Sequence, residues 1–506
     1  MPKPMRRATQ LAPFALLKTA LSPLGMKRAT ARVAANQLLK LLERSDDRSL
    51  IRLTKVAEKV ARTSHHRAQM QQLRELFENK HPALDLVRRL STQLHPNCRR
   101  SLIEALTVNA TWIGSVERKR FRDAHGVQPP TLMVISPTMR CNLDCTGCYA
   151  GKYPRQGDHL DLATIDRVIN EAKQMGTYFF VISGGEPFVR RDLFELYESH
   201  PDCAFQIYTN GTLIDDKVVE RLAELGNVGP AISLEGWQEE TDARRGEGVY
   251  QQVMATMDRL REAGVFFGFS ATSTRRNVHV YLQERFIDHM VEKGCLFGWF
   301  FMFVPVGKDD DLDLMLTPQQ RDQIRSWTME IRRQKPIFVA DFWNDGCLTD
   351  GCMAGGQLYL HLNYRGDVEP CVFMHFAQDN IKDIYARGGT LGDALKSDFF
   401  CAVRERNRKH KNRLQPCMIV DHNQWLEEAV KQGKAHATHP GAEAIVTTHR
   451  DAVRAWSREY AKLADAAWES GEYDWAKKDE QDLWATARTR GDEDVHMWGE
   501  EDAAPE

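Results

Sequence analysis

The sequence lacks the features of a secreted disulfide-rich protein and those of a membrane-spanning protein. Eleven cysteines among 506 residues are too few for a disulfide scaffold. Their odd number, in a chain without a convincing signal peptide, favours reduced thiols and metal ligation. No uninterrupted apolar run approaches the roughly 20 residues that a membrane-spanning helix needs. We therefore expect a cytoplasmic protein whose cysteines are free to bind metal.

The chain also lacks a strong net charge. A formal charge of −2 and a pI near 6.8 give no reason to expect nucleic-acid binding. The two ends differ in sign, because residues 1–60 are rich in Lys and Arg whereas residues 491–506 are acidic. The apolar stretch 11–24 is interrupted by Lys18, which favours a soluble helix and leaves open an amphipathic helix at the inner face of the membrane.

The pattern of apolar, cysteine and charged residues divides the chain into four segments. Residues 1–128 carry apolar side chains at three- and four-residue spacing, which predicts an N-terminal helical domain. Residues 129–335 form the central domain, and residues 336–425 form a small domain with a second group of cysteines. Residues 426–506 read as a helical extension with an acidic end that we expect to be disordered.

From residue 131, six short apolar runs alternate with helical segments. The runs are residues 131–136, 179–183, 204–209, 228–234, 266–271 and 297–304. This alternation is typical of β/α units around a parallel sheet. It predicts an α/β fold, namely a partial (β/α)6 TIM-like barrel, with ligand sites at the carboxyl ends of the strands.

The strongest chemical signal is Cys141, Cys145 and Cys148, a C-x3-C-x2-C group that follows the first predicted strand. Three thiolates leave one iron of a four-iron cluster without a protein ligand. A structural zinc site needs four ligands, and this loop supplies no fourth Cys or His. The group therefore suits a cluster whose open iron binds a small molecule.

This group resembles the cysteine loop of the radical S-adenosylmethionine (SAM) superfamily, and the resemblance spans roughly residues 132–307. It implies a [4Fe-4S] cluster that binds SAM and cleaves it reductively to a 5′-deoxyadenosyl radical. Gly184-Gly185-Glu186-Pro187, after the second run, matches the family's Gly-Gly-Glu-Pro element. The cofactor would perform the difficult step, and the protein would supply orientation and shielding.

The resemblance also assigns cofactor contacts at the ends of the predicted strands. The expected residues are Gly184, Gly185, Glu186, Pro187, Asn210, Glu235, Arg245, Ser270 and Val306. One position departs from the family pattern, because many members have an aromatic residue before the third cysteine. Here that residue is Gly147, and Tyr149 follows the cysteine, so adenine packing must come from elsewhere.

The second cysteine region resembles the SPASM and twitch auxiliary-cluster domains. Cys352, Gly366 and Cys371 have the spacing C-x13-G-x4-C of their opening hairpin, and the full SPASM continuation is absent. The resemblance implies a second [4Fe-4S] cluster held by Cys352, Cys371 and Cys417. Cys347 is preferred over Cys401 as the fourth ligand, because it lies near Cys352 in the sequence.

The sequence does not single out a catalytic acid or base. By resemblance, we expect an electron donor such as flavodoxin or ferredoxin and a peptide or protein side chain as substrate. The basic N-terminus leaves open a lipid or isoprenoid substrate at the membrane surface. A non-catalytic iron-sulfur carrier or scaffold is a further alternative, although it would have no need for a SAM site.

Overall fold

A computed structural model describes residues 47–60, 71, 74–155 and 160–477. The basic residues 1–46, the apolar stretch 11–24 and the acidic end 491–506 lie outside the described residues. No helix among the described residues is both long and apolar enough to cross a membrane.

The chain alternates between helices and strands from residue 132 onward. The strands are β1 (Leu132–Ile135), β2 (Phe179–Ile182), β3 (Ala204–Thr209), β4 (Val228–Leu234), β5 (Gly268–Ser273), β6 (Phe297–Met302), β7 (Phe338–Asp341), β8 (Tyr359–Leu362), β9 (Asp367–Glu369), β10 (Phe376–Ala377), β11 (Asp379–Asn380) and β12 (His436–Ala437). The helices are α1 (Asp47–Val60), α2 (Ala83–Thr92), α3 (Pro96–Ser101), α4 (Gly114–His125), α5 (Leu162–Gln174), α6 (Leu193–Ser199), α7 (Asp216–Leu225), α8 (Gln238–Arg245), α9 (Val249–Glu262), α10 (Val278–Tyr281), α11 (Glu284–Glu292), α12 (Pro318–Gln334), α13 (Gly346–Thr349), α14 (Ile381–Ala386), α15 (Leu391–Ala394), α16 (Asp398–Asn407), α17 (Asn423–Gln432), α18 (Arg450–Glu469) and α19 (Asp474–Lys477). A π-helical segment, Leu102–Ile113, joins α3 to α4.

The N-terminal helices cover the amino end of the sheet. Helix α2 buries Leu86 and Leu90, which lie four residues apart on one face. On the same helix, Arg89 donates hydrogen bonds to the carbonyl oxygens of Pro336 (2.8 Å) and Cys295 (3.0 Å), just before β7 and β6. A cavity of about 260 Å³ lies between the π-helical segment and the first residues of the strands, at the end opposite the cysteine loop.

Strands β1 to β7 are parallel, and each pairs with the next strand along the chain. They are buried on both faces, as expected for a parallel sheet between layers of helices. All six predicted strands are present, although β5 begins and ends two residues later than predicted. A seventh strand, β7, extends the parallel sheet beyond the predicted six.

The sheet curls into a partial barrel. Tyr208 on β3 and Phe301 on β6 have ring centroids 5.5 Å apart. These strands are three positions apart, which would separate them by about 14 Å in a flat sheet. The ring contact therefore requires curvature, and the fold class predicted from the sequence is confirmed.

The second cysteine region adds strands to the same sheet. Strand β8 pairs in parallel with β1, with Leu132 opposite Tyr359, and β9 returns antiparallel beside β8. Three buried side chains reinforce this junction. The Nε2 of His361 lies 2.7 Å from the Ser136 hydroxyl, and its Nδ1 lies 2.5 Å from the Glu369 carboxylate. The sheet thus continues past residue 336, where the sequence predicts the start of the small domain.

The C-terminal helices pack against α12. The fully buried Arg321 of α12 forms an ion pair with Asp421 (2.5 Å), and its guanidinium lies 3.8 Å from the ring centroid of Tyr460 on α18. Trp456, one turn earlier on α18, donates a hydrogen bond to the carbonyl oxygen of Leu316 (2.6 Å). These contacts attach the extension to both the barrel and the second cysteine region.

Candidate functional site

The loop carrying Cys141, Cys145 and Cys148 follows β1 at the carboxyl edge of the sheet, and α8 holds it there. Arg244 of α8 exchanges two hydrogen bonds with Thr146. Its carbonyl oxygen accepts from the Thr146 amide, and its Nε donates to the Thr146 carbonyl, both at 3.0 Å. From the other side, the Lys308 amide donates to the Cys148 carbonyl oxygen (2.9 Å).

The three cysteines of this loop are each half-buried. The pKa of Cys141 is raised to about 11, mainly by burial and to a smaller extent by Glu186, Cys145 and Cys148. Burial likewise raises the pKa of Cys148. Because thiolates ligate metal, these groups need positive charge close by to ionise.

Arg245 supplies positive charge beside the loop. Its Nη1 lies 4.0 Å from the Sγ of Cys145, and its Nη2 lies 2.5 Å from the Glu235 carboxylate. Burial by itself would lower the pKa of Arg245, but the Glu235 carboxylate and the thiols of Cys145 and Cys148 together raise it. The neighbouring Arg244 lies 2.7 Å from the same oxygen of Glu235. One carboxylate therefore orients two guanidiniums.

The glycines of Gly184-Gly185-Glu186-Pro187 let this loop lie directly against the cysteine loop. The Gly185 amide donates to the Thr138 carbonyl oxygen at 2.9 Å. Gly184 has a φ of +108°, and a Cβ there would collide with the same carbonyl oxygen. A side chain at Gly185 would collide with the carbonyl of Arg140. The close approach therefore requires glycine at both positions.

Glu186 ties the ends of β2 and β3 together. Its carboxylate accepts hydrogen bonds from the Phe188 amide (3.0 Å), the Thr209 hydroxyl (2.8 Å) and the Asn210 amide (2.8 Å). Burial raises its pKa, and these donors act in the opposite direction. The carboxylate therefore already has a structural role, in addition to the cofactor contact expected for it.

The other expected cofactor residues include Asn210, Ser270 and Val306. The Nδ2 of Asn210 is 3.9 Å from the Sγ of Cys141. Ser270 on β5 is in register with Ser233 on β4, and Val306 is buried in the loop after β6. Asn210 therefore lies next to the cysteine loop, whereas Ser270 lies in the middle of β5 and Val306 follows β6.

Tyr149, which follows the third cysteine, contacts the end of β2 and the glycine loop. Its hydroxyl lies 2.7 Å from the Ser183 hydroxyl and 3.4 Å from the Gly184 amide nitrogen. Burial raises the pKa of Tyr149 to about 12. The residue after the third cysteine therefore connects the cysteine loop to the glycine loop.

Three cysteines of the second region meet around one cavity. Cys352, Cys371 and Cys417 line it together with Trp343 and Asn407. The Tyr359 hydroxyl lies 3.2 Å from the Sγ of Cys371. Burial raises the pKa of Cys371 to about 11 and that of Cys417 to about 12.

Cys347, the expected fourth ligand, is placed elsewhere. It packs in a separate apolar cluster with Leu414, Tyr460 and Tyr473, and it does not appear among the residues described as lining the three-thiol cavity. Cys401 is exposed on α16. The structure therefore brings together three of the four predicted ligands.

Aromatic side chains connect the two cysteine sites. Tyr149, next to Cys148, lies 5.3 Å from Phe373, measured between ring centroids. Phe373 comes two residues after Cys371, and it lies 5.1 Å from Trp343, which lines the three-thiol cavity. The same group of aromatic side chains therefore lies between the two cysteine sites. Sequence spacing could not reveal this contact, because the two residues lie far apart along the chain.

The residues present fit an iron-sulfur cluster with bound SAM at the first site. Three thiols leave one iron open, and Arg245 offsets the negative charge of the thiolates. The Oε2 of Glu235 is buried and accepts no hydrogen bond from any described residue. An acceptor buried in this way needs a donor, and the hydroxyl and ammonium groups of SAM are suitable donors.

Comparisons with known proteins agree with this chemistry. Residues 135–274 match the profile of the family described as the Radical SAM superfamily. The AdoMet-dependent heme synthase of Methanosarcina barkeri is 26% identical over 283 residues, which cover 50% of this chain and 80% of that protein. The mycofactocin maturase MftC of Mycolicibacterium smegmatis is 27% identical over 297 residues, covering 55% and 74%. The structure of Streptococcus suis SuiB bound to the precursor peptide SuiA superposes with a TM-score of 0.47 at 18% identity, covering 60% of this chain and 75% of that one.

Proposed function

We propose that this chain is a radical SAM enzyme, as its match to that family at residues 135–274 supports, and that it abstracts a hydrogen atom from a peptide or protein side chain. The observation that carries the proposal is the contact between Tyr149 and Phe373, which joins the SAM-cluster loop to a second cysteine site. Enzymes with a SPASM or twitch auxiliary cluster often modify peptides, so a second cluster beside the first supports this substrate class.

When bound, the [4Fe-4S] cluster and SAM supply a 5′-deoxyadenosyl radical. Cys141, Cys145 and Cys148 would hold the cluster. The glycine loop at Gly184 and Gly185 would let the backbone lie close to the methionine end of SAM. Glu235, with its free carboxylate oxygen, would accept a hydrogen bond from SAM.

Arg245, Ser270 and Val306 complete the proposed cofactor contacts. Arg245 balances the charge of the thiolates and orients Glu235. Ser270 offers a hydroxyl from inside the barrel, and Val306 offers an apolar wall beyond β6. Together they would position SAM and keep water away from the reacting atoms.

The second site, with Cys352, Cys371 and Cys417, would hold an auxiliary [4Fe-4S] cluster. Its place beside Phe373 and Trp343 supports two roles for it, substrate binding and acceptance of an electron from the product radical. An external donor such as flavodoxin or ferredoxin would reduce the SAM cluster. The lipid alternative rests on the basic N-terminus, which lies outside the described residues.

A tetrapyrrole is a second candidate substrate. The relative from Methanosarcina barkeri is named a heme synthase, and the barrel interior of this chain carries several aromatic rings. Tyr208, Phe301 and Phe342 lie in a continuous set of contacts, with centroid distances of 5.5 and 5.3 Å. Such a wall suits a flat aromatic ligand.

Anaerobic reconstitution followed by reduction in the presence of SAM tests the proposed activity. We expect about eight irons per chain and the release of 5′-deoxyadenosine, detected by chromatography. Cys148→Ala should abolish the release, whereas the exposed Cys401→Ala should retain it. If the clusters form completely but SAM is never cleaved, the proposed activity is wrong and the non-catalytic carrier or scaffold hypothesis replaces it.

Deuterium transfer separates the substrate classes. Cells grown in deuterated medium provide a peptide and protein fraction and a tetrapyrrole fraction, and each is incubated with unlabelled enzyme and SAM. Hydrogen abstraction moves deuterium into 5′-deoxyadenosine, which mass spectrometry detects. We expect the label only with the peptide and protein fraction. Label only with the tetrapyrrole fraction would establish the second candidate.

A further inference from the structure

The three-thiol cavity of the second site contains one buried amide with no partner. Asn407, the last residue of α16, is 5% exposed and lines the cavity with Cys352, Cys371 and Cys417. Among the described residues, neither its Oδ1 nor its Nδ2 has a hydrogen-bond partner. A buried amide without a partner costs about 1–3 kcal/mol per polar atom, so this side chain requires a ligand.

A second polar group at the cavity is also without a partner. The indole nitrogen of Trp343 is buried, and within the described part of the chain it donates to no acceptor. Trp343 is a donor only, whereas Asn407 offers both a donor and an acceptor. A group that fills the cavity must therefore accept hydrogen bonds from the Trp343 indole and the Asn407 amide nitrogen. It must also interact with the Oδ1 of Asn407.

An iron-sulfur cluster meets both requirements. Its sulfur atoms accept hydrogen bonds, and each of its irons binds one further ligand. The cavity supplies three thiols for four irons, because Cys347 lies in the apolar cluster with Tyr460 and Tyr473. The fourth iron therefore needs a ligand that is not one of the expected cysteines.

We propose that the Oδ1 of Asn407 is the fourth ligand of the auxiliary cluster and that the indole N–H of Trp343 donates a hydrogen bond to a cluster sulfur. This inference rests on the auxiliary cluster of the proposed function and names its last ligand. A neutral amide oxygen is a weaker ligand for iron than a thiolate. One iron of this cluster is therefore exchangeable, and an incoming substrate donor can displace Asn407.

The test isolates the auxiliary cluster by using Cys148→Ala as the parent, because this change removes a ligand of the SAM cluster. Into this parent we introduce Asn407→Leu, which has a similar volume and no donor, and Asn407→Cys, which provides a thiolate. Cys347→Ala in the same parent is the matched control. Circular dichroism and gel filtration verify that each variant is folded.

Iron content and electron paramagnetic resonance after mild ferricyanide oxidation are the readouts. We expect the parent to hold about four irons, and Asn407→Leu to lose one iron and give the signal of a three-iron cluster far more readily. Asn407→Cys should resist this loss, and Cys347→Ala should behave as the parent does.

Three results would overturn the inference. If both Asn407 variants match the parent in iron loss and spectrum, Asn407 is not a ligand, although the auxiliary cluster stands. If Cys347→Ala instead shows the loss expected of Asn407→Leu, Cys347 is the fourth ligand. A parent without any iron would refute the auxiliary cluster itself and the inference with it.

Discussion

At the scale of single residues, Glu235 forms ion pairs with two arginines, which no sequence pattern predicted. It is fully buried, and one of its oxygens lies 2.5 Å from Arg245 and 2.7 Å from Arg244. Removing one partner of a buried ion pair is costly, because the remaining charge loses its compensation. Here two guanidiniums depend on the same carboxylate, and one of them secures the cysteine loop.

We expect Glu235→Gln to destabilise the cluster-free protein by about 3 kcal/mol. The measurement is urea unfolding of the apoprotein under reducing conditions, with the midpoint compared at constant slope. The control is Glu239→Gln, because Glu239 is exposed on α8, the helix that carries Arg244 and Arg245, and its loss should cost less than about 0.5 kcal/mol. Equal midpoints for the two variants would mean that the arginines find other partners.

A second residue-scale prediction concerns Gly184. Gly184→Ala should destabilise the protein more than Gly441→Ala, since both glycines have positive φ but only Gly184 has no room for a Cβ. The backbone penalty of about 1 kcal/mol is common to both, and the collision with Thr138 should add about 1–3 kcal/mol. Urea unfolding of both variants measures the difference, and the same loss in each would show that the loop moves aside.

At the scale of elements, the junction between β1 and β8 depends on a buried hydrogen-bonded chain. Ser136 directly follows β1, His361 lies on β8, and Glu369 lies on β9, and all three are at most 1% exposed. Such a chain stabilises only when every member is paired. It therefore holds the second cysteine region against the edge of the barrel sheet.

We expect His361→Leu to leave Ser136 and Glu369 unpaired and to loosen β8 locally. Hydrogen exchange followed by mass spectrometry should show faster exchange at Tyr359–Leu362 than in the unaltered protein, with β3 and β4 unchanged. His279→Leu, at a largely exposed histidine, is the control and should change neither region. Unaltered exchange at β8 would mean that backbone pairing alone holds this junction.

The sequence was a good guide to local elements and a poor one to their long-range contacts. Strands β3 and β4 were predicted with the observed bounds, because buried parallel strands are continuous apolar runs. Strand β7 was missed because its four residues end in Asp341 and give only a short apolar signal. No sequence pattern pointed to Asn407, because its proposed role depends on three cysteines that only the fold brings together.

At the scale of the whole molecule, the two cysteine sites belong to one sheet and yet differ in how they are held. The first set of thiols lies on a single loop braced by Arg244 and Lys308. The second set comes from three separate segments, which carry Cys352, Cys371 and Cys417. A cluster at the second site would therefore act as a cross-link between distant parts of the chain.

This difference predicts how each cluster contributes to order in the loaded enzyme. Cys371→Ser should raise hydrogen exchange in residues 352–358 and 407–420, because the cross-link between those segments is lost. Cys148→Ser should raise exchange only around residues 139–151, because its loop remains braced from both sides. Ligand binding stabilises only the state that binds it, so the effect should disappear when both proteins are compared without clusters. If Cys371→Ser instead raised exchange throughout strands β1 to β6, the second cluster would be supporting the barrel itself, and the sheet would depend on iron for its stability.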